Sequence, residues 1–250
     1  MTRSWVIPCY QEAEALAAGL ASLLALPGEQ LVFVDDGSTD GTAAHLADAA
    51  RRDPRVTVVT HPRNRGVGAA MRSGFAATTG DVVVAYDADR TYPAADAERL
   101  VEAVRVGADV ATASPFLAGG VVDAPWARRV LSKGAALAYR VAVGRAAKGV
   151  RTFTAGFRAY RGPLVRGLAF RSDGFASTAE ILGRLLLGGA RLVEVPSTLT
   201  TRTEGASKMR VLRAMRGHAG VLARLVLLRC RGGRARPGGG EARPDRVTRP

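Results

Sequence analysis

The chain has 250 residues, 47% of them apolar, with a net charge of +14 and two cysteines. That is enough apolar matter for one large core. Cys9 and Cys230, near opposite ends, make neither a disulfide framework nor a zinc spacing, which fits a reducing compartment. No secretory leader is expected from Met1-Thr2-Arg3-Ser4. The longest stretch free of charge, residues 15–28, has 14 residues and contains Pro27, too short and too broken to span a bilayer.

Short apolar runs alternate with helical patterns through the first half. Strands are predicted at 5–7, 31–34, 56–59, 82–85 and 109–112, and helices at 12–26, 41–52, 67–78 and 94–106. Asp40 is placed to cap the second helix. Continuously apolar strands separated by helices predict a mostly parallel sheet covered on both faces. Such sheets bind ligands beyond the carboxyl ends of their strands. Those ends carry Pro8 to Glu12, Asp35-Asp36, and Asp87 to Asp89. After residue 120 the rhythm changes. A helix is predicted at 127–143, carrying Arg128, Arg129 and Lys133. "TFTAGFRAY" (152–160) reads as irregular, 177–187 as a helix, and 192–195 and 197–201 as strand-like around Pro196.

The charge is concentrated at the end. From Arg202 onward there are thirteen Arg or Lys against three acids. On a helical wheel of 209–229, Arg210, Arg213, Arg216 and Arg224 share one side, and Leu212, Met215, Ala219, Leu222 and Val226 the other. This basic amphipathic helix either lies in a membrane interface or docks on the sheet with its arginines in water. Residues 231–250, rich in Arg, Gly and Pro, are expected to be disordered. A basic tail implies an anionic partner, a membrane surface or nucleic acid. Without aromatics among the arginines, no specific nucleic-acid binding is expected.

"VVVAYDADRTYP" (82–93) ends a strand with two carboxylates two apart. In extended chain these point to opposite faces. A turn lets one bind a hard divalent cation, magnesium or manganese, while the other holds a neighbouring ligand. The competing reading is an acidic turn in which Asp89 caps the next helix. Gly66-Val67-Gly68 before a helix is either a phosphate loop or a tight turn packing that helix on the sheet. As a dinucleotide fingerprint it fails, because it follows the third strand and Met71 stands where the last small residue belongs.

The ordered segments "VIPCYQEAE", "VFVDDGSTDGT", "NRGVGAAMRSGF", "GDVVVAYDADRTYP", "TAGFRAYRG", "GFASTAEIL" and "LVEVPSTLTTRTEGASKM" resemble the family 2 glycosyltransferases. Within that family they are most similar to the dolichol-phosphate (polyprenyl-phosphate) mannose synthase group. The resemblance implies a GT-A, Rossmann-like α/β fold over residues 1–208, followed by the amphipathic helix 209–230 and the tail 231–250. It implies donor binding by Pro8, Tyr10, Glu12, Val34, Asp36, Asp87 and Ala88. A metal, Mg2+ or Mn2+, would be held at Asp87, Asp89 and Thr91, with Asp89 its principal ligand. Arg202 and Lys208 would close over the donor diphosphate, and Arg128 and Ser132 would hold an acceptor phosphate. The implied reaction moves a hexose, mannose from GDP-mannose first and glucose from UDP-glucose second, to a polyprenyl phosphate. The implied place is the inner face of the cell membrane.

A phosphate acceptor, with a second pKa of about 6, is largely dianionic at neutral pH and needs cations rather than a general base. Members that use sugar hydroxyls carry an acidic base followed by Gln-x-x-Arg-Trp, which is absent here. Glu180 is expected to be a structural or loop-anchoring residue, and a saccharide acceptor would leave Asp173 as the obvious base. Two departures stand out. Thr91 replaces the Gln or Ser usual near the metal, and Ala113-Ser114-Pro115 replaces Gly-Ser-Arg, losing a cation between the donor and acceptor phosphates.

Overall fold

The computed structural model describes residues 1–123, 126–200 and 211–232, without the side chains of 127, 128 and 211–214. Its elements are β1 (Arg3–Cys9), α1 (Ala13–Leu24), β2 (Gln30–Asp35), α2 (Thr42–Arg52), β3 (Val56–Thr60), α3 (Val67–Ala77), β4 (Val82–Ala85), α4 (Asp96–Arg105) and β5 (Val110–Ser114). They continue with β6 (Val121–Val122), α5 (Trp126–Val143), β7 (Arg158–Arg161), α6 (Gly162–Arg166), α7 (Ser177–Leu187), β8 (Leu192–Pro196), β9 (Thr198–Leu199) and α8 (Val211–Cys230). Seven strands form the central sheet in the order β3-β2-β1-β4-β7-β5-β8. β7 alone runs antiparallel to its neighbours. β6 and β9 make a separate two-stranded ribbon.

Strand alternation sorts the core into two layers. Trp5 and Ile7 of β1 join Leu16, Leu23, Phe33, Leu46 and Leu100 on the face covered by α1, α2 and α4. Val6 joins Phe75, Tyr139, Tyr160, Ile181, Leu185, Val221 and Leu225 on the face covered by α3, α5, α7 and α8.

The 152–160 stretch differs from its expectation as irregular chain. Its last residues start β7, wedged between β4 and β5. Four residues flanked by arginines carry no apolar run, so local pattern misses them. Arg158 is fully buried, and it donates from Nε to Thr112 Oγ1 (3.1 Å) and from its terminal nitrogens to the Thr178 and Phe153 carbonyls (both 2.6 Å). These tertiary acceptors satisfy the buried guanidinium.

α8 docks on α5 and α7 with a face rotated from the one its wheel suggests, keeping Leu222 and Val226 of that face against the core. Val221 and Leu225 are fully buried, Met215 and Ala219 are exposed, and Arg224 turns inward to Glu180 at 3.2 Å. His218 Nδ1 meets the Tyr139 hydroxyl at 2.7 Å, and Arg229 donates to the Val141 carbonyl at 2.7 Å. His218, Arg224 and Arg229 thus find partners on the protein, while Arg216 is exposed. Burial holds the His218 imidazole below its usual range.

Candidate active site

Three loops meet at the carboxyl ends of β1, β2 and β4. Pro8 pairs with Val34 across β1 and β2, and the Asp36 N–H donates to the Cys9 carbonyl at 2.8 Å. Val6 pairs with Ala85 across β1 and β4, so the same register carries Pro8 level with Asp87. Pro8, Val34 and Asp87 therefore stand side by side.

The β1 and β2 loops are laced together by Gln11, which adopts a left-handed backbone (φ 55°). Its side-chain carbonyl accepts from the Thr39 and Asp40 N–H groups at 2.8 and 3.2 Å, and its own N–H donates to Ser38 Oγ at 3.0 Å. The Glu12 N–H donates to Thr42 Oγ1 at 2.8 Å. Asp40 accepts from Thr42 N and Ala13 N, at 3.0 and 3.1 Å, serving the starts of α2 and α1 at once. Burial works against its charge, but those hydrogen bonds prevail and hold the carboxyl below its usual range. Tyr10 and Glu12 lie half-buried in this laced corner.

Asp36 is buried, and its carboxylate accepts from His61 Nδ1 (2.6 Å), Arg65 N (3.0 Å) and Gly66 N (2.6 Å). Its first task is to hold the 61–66 loop beside the β2 end. Gly37 (φ 69°) lies directly under Arg63 and Asn64, where a Cβ would collide with their backbone. The Gly66-Val67-Gly68 turn is the packing turn, not a phosphate loop. The Gly68 N–H donates to the Asp173 carbonyl at 2.7 Å, and a Cβ at Gly66 or Gly68 would strike the Asp173 or Ser172 carbonyl oxygen.

At the end of β4 the chain does turn. The Arg90 N–H donates to the Asp87 carbonyl at 3.1 Å, and Arg90 itself is left-handed (φ 54°). Its guanidinium lies flat on Gly19 of α1, where any side chain would collide. The acidic turn is present and carries the two carboxylates, but Asp89 does not cap α4, whose N-cap is Ala95 with no side-chain hydrogen bond. Asp89 Oδ1 accepts from the Thr91 N–H at 3.3 Å, and Ala88 is buried between the two acids. Asp87 faces Gly156 of the "TAGF" segment, where a Cβ would sit 2.9 and 3.2 Å from its two oxygens. Beneath lies an aromatic floor, with Trp5 and Phe157 edge-on to Tyr86 at centroid distances of 5.7 and 5.0 Å. The Tyr86 hydroxyl donates to the Tyr92 carbonyl at 2.6 Å, and burial pushes that phenol up to about 12.

Among the described residues no three His, Cys, Asp or Glu side chains cluster as a metal site. Two carboxylates and a threonine hydroxyl are nevertheless a hard oxygen set that suits magnesium or manganese when substrate phosphates and water complete the shell. Thr200 donates to the Thr91 carbonyl from both its N–H and its hydroxyl, each at 3.0 Å. The chain leading toward Arg202 and Lys208 is therefore tied to the same turn, while those two residues lie outside the described residues. Ser132 is half-buried on α5 one turn beyond Arg128, whose side chain also lies outside them.

Asp173, the candidate base for a saccharide acceptor, is not free for that work. It is ion-paired with Arg72. Glu180 is buried and accepts from Ser172 N (2.8 Å), Arg171 N (3.3 Å), Arg184 (2.9 Å) and Arg224 (3.2 Å), the anchoring role expected of it. Gln11, Arg90 and Gly156 were missing from the sequence-based set of site residues. The amide of Gln11 facing the hydroxyls of "GSTDGT" was the one local signal; Arg90 and Gly156 acquire meaning only from distant neighbours.

A mixed sheet with a carboxylate turn at the end of its fourth strand is the layout of GT-A transferases. A Mycobacterium tuberculosis glucosyl-3-phosphoglycerate synthase, solved with Mn2+, UDP and glucosyl-3-phosphoglycerate, has this fold, with a TM-score of 0.66 at 21% identity over 92% of this chain and 80% of that one. The chain belongs to glycosyl transferase family 2, whose model matches residues 4–166. It is 38% identical to a polyprenol monophosphomannose synthase of Mycolicibacterium smegmatis over 213 residues, 82% of this chain and 79% of that one. It is 36% identical to an undecaprenyl-phosphate mannosyltransferase of Micrococcus luteus over 212 residues, 82% and 86% of the two chains. A dolichol-phosphate mannosyltransferase of Pyrococcus furiosus is 33% identical over 216 residues, and the match spans 60% of its length.

Proposed function

We propose that this protein is an inverting, metal-dependent hexosyltransferase that moves mannose from a nucleotide sugar to a polyprenyl phosphate. The observation that carries the reading is the Asp87–Arg90 turn, backed by Gly156 and tied to Thr200. Pro8, Tyr10, Glu12, Val34 and the Asp36-held loop surround the nucleoside, and Asp87 and Ala88 border the sugar diphosphate. Asp89, with Asp87 and Thr91, would hold the Mg2+ or Mn2+, which supplies positive charge to the departing diphosphate. Arg202 and Lys208 add charge to the same leaving group.

An acceptor phosphate oxygen forms the new bond to the anomeric carbon from the face opposite the diphosphate. The bond from that carbon to the diphosphate breaks, the nucleoside diphosphate leaves with the electron pair, and the configuration inverts. No proton moves, which agrees with Asp173 and Glu180 both being committed elsewhere. The relatives whose names carry mannose support mannose as the sugar; GDP-mannose is the first donor expected and UDP-glucose the second.

The membrane reading gains support from α5 rather than α8. Trp126, Val130, Leu137 and Val141 are 76%, 58%, 56% and 67% exposed and fall on one stripe of the helix, beside Arg129 and Lys133. That is the pattern of a helix lying in an anionic interface, here the cytoplasmic face. No described helix is long and apolar enough to cross a membrane. Vesicles carrying polyprenyl phosphate, incubated with the protein, Mn2+ and radiolabelled GDP-mannose or UDP-glucose, test the reading. Label is expected in acid-labile lipid from GDP-mannose. Label that stays water-soluble with both donors refutes a polyprenyl-phosphate acceptor.

A further inference from the structure

A cavity of about 260 Å3 opens between α5 and the turn after β5, lined by Phe116, Lys133, Ala136, Arg140 and Arg151. Three of the five are cations and none is an acid. The Arg140 Nε is buried and makes no hydrogen bond among the described residues. A buried donor left unsatisfied is costly and calls for an acceptor. Lys133 Nζ lies 6.0 Å from the Phe116 ring centroid, and the Arg151 guanidinium donates to the Phe116 carbonyl at 3.3 Å. The nearby carboxylate, Glu194, is occupied by the Arg151 and Thr152 N–H groups, both at 2.9 Å. Ser114 Oγ and Thr152 Oγ1, 2.6 Å apart, fasten the end of β5 to the Arg151 segment. The walls are thus fixed, and among the described residues none of the three cations makes an ion pair with a carboxylate side chain, Glu194 being bound to backbone N–H groups.

The location matters as much as the charge. β4 and β5 both run antiparallel to β7, so their carboxyl ends share one sheet edge. Phe116 lies two residues past β5, as Asp87 lies two past β4. Two strand spacings, about 10 Å, separate these ends, room for a sugar between a diphosphate and a second phosphate. On α5 the cavity-lining Lys133 and Arg140 adjoin the exposed stripe of Trp126, Leu137 and Val141. A headgroup in the cavity would leave its chain along that stripe. The volume falls below the roughly 300–1,000 Å3 of whole small-molecule sites and suits a phosphate with its first carbons.

We propose that this cavity seats the acceptor's phosphate monoester, and that Lys133, Arg140 and Arg151 supply the cationic charge that Pro115 cannot. This rests on the polyprenyl-phosphate reading above. Pro115 offers no side-chain donor, and the three cations reach the same turn from α5 and from the segment before β7. Arg128 and Ser132 remain the expected partners on the same helix, and Phe116 and Arg151 add lining from outside it.

The test uses Lys133→Gln and the double variant Lys133→Gln/Arg151→Gln. Both side chains are exposed, and thermal unfolding checks that the fold survives. In mixed micelles, the double variant should raise the KM for polyprenyl phosphate by about tenfold or more, as loss of charge-assisted hydrogen bonds predicts, and leave the KM for the nucleotide sugar unchanged. Calorimetry with a short-chain prenyl phosphate should show the same loss of affinity without any turnover. Binding to phosphatidylglycerol vesicles that lack polyprenyl phosphate should fall only about fivefold, the share of one lysine near an anionic surface. An unchanged acceptor KM together with unchanged prenyl-phosphate affinity overturns the proposal. So does a double variant that loses phosphatidylglycerol binding but keeps its acceptor KM, because the cavity then serves a bulk headgroup. If the wild type transfers to no polyprenyl phosphate, the functional reading fails, and calorimetry still judges the cavity. Binding that the double variant abolishes upholds the anion seat, and no binding by the wild type removes it.

Discussion

Gly156→Ala is the sharpest perturbation of the carboxylate turn. The new methyl would stand 2.9 Å from Asp87 Oδ2 and 3.2 Å from Oδ1. Ordinary carbon–oxygen contact begins near 3.4 Å, so the carboxylate must retreat by about half an ångström. Gly156 does not have a left-handed backbone, so alanine brings no backbone strain. By constraining the unfolded chain it should leave stability unchanged or raise it by about 0.4–1 kcal/mol. Misplacing a reacting group by about 1 Å costs on the order of a hundredfold in rate. Half that displacement predicts a fall in kcat of about tenfold, with the Mn2+ concentration for half-maximal rate rising alongside. The assay is transfer from labelled donor to polyprenyl phosphate across a Mn2+ titration, paired with thermal unfolding. Wild-type kcat and Mn2+ dependence would refute the argument that Asp87 works from this position. So would a loss of rate matched by a fall in Tm of many degrees, since Gly156 would then matter to the fold rather than to the carboxylate.

Other substitutions probe separate parts. Asp89→Ala should cut transfer by about a hundredfold or more with little change in Tm, because Asp89 lies beyond the end of β4 and outside the core; near-wild-type transfer removes it as the metal's ligand. Glu180→Gln should destabilise the fold by about 3 kcal/mol, the low end for breaking a buried pair because Arg224 is 35% exposed and partly screened. At this chain length that lowers Tm by roughly 6–12 °C. Burial pushes the Glu180 carboxyl up, but the Arg184 hydrogen bond, the Ser172 N–H and the charge of Arg224 prevail and hold it below its usual range. A depressed carboxyl stabilises the fold above its unfolded pKa of about 4.3 and loses that contribution as pH falls through the folded value. The Tm gap between wild type and Glu180→Gln should therefore be full at pH 7 and close on acidification below about pH 4; a gap independent of pH contradicts it. Replacing Trp126 and Leu137 with serine should weaken sedimentation with anionic vesicles by about tenfold or more and spare turnover of a water-soluble short-chain acceptor. Unchanged vesicle binding would show that α5 is not the contact.

Much of this protein is written locally. The alternation of apolar strands with helices placed β1 to β5 and α1 to α4 in order, because a strand buried on both faces must be apolar throughout. The carboxyl ends of those strands were where the sequence placed the candidate site, since a parallel sheet exposes its loops there. Asp87 and Asp89, Pro8 and Val34 were legible for that reason. What sequence could not show is what depends on distant partners. β7 has no apolar run, and it exists because Arg158 finds Thr112, Phe153 and Thr178 around it. Asp36 looked like a ligand to the nucleoside, and the fold first gives its carboxylate to His61, Arg65 and Gly66. The wheel of α8 set its arginines apart on a polar face, turned to a membrane interface or to water, and Arg224 instead turns inward to the buried Glu180. Hydrophobic period is a property of the local chain. Which polar group meets which depends on how remote segments pack, and here that packing set the carboxylate turn against Gly156 and the cations of α5 against Phe116.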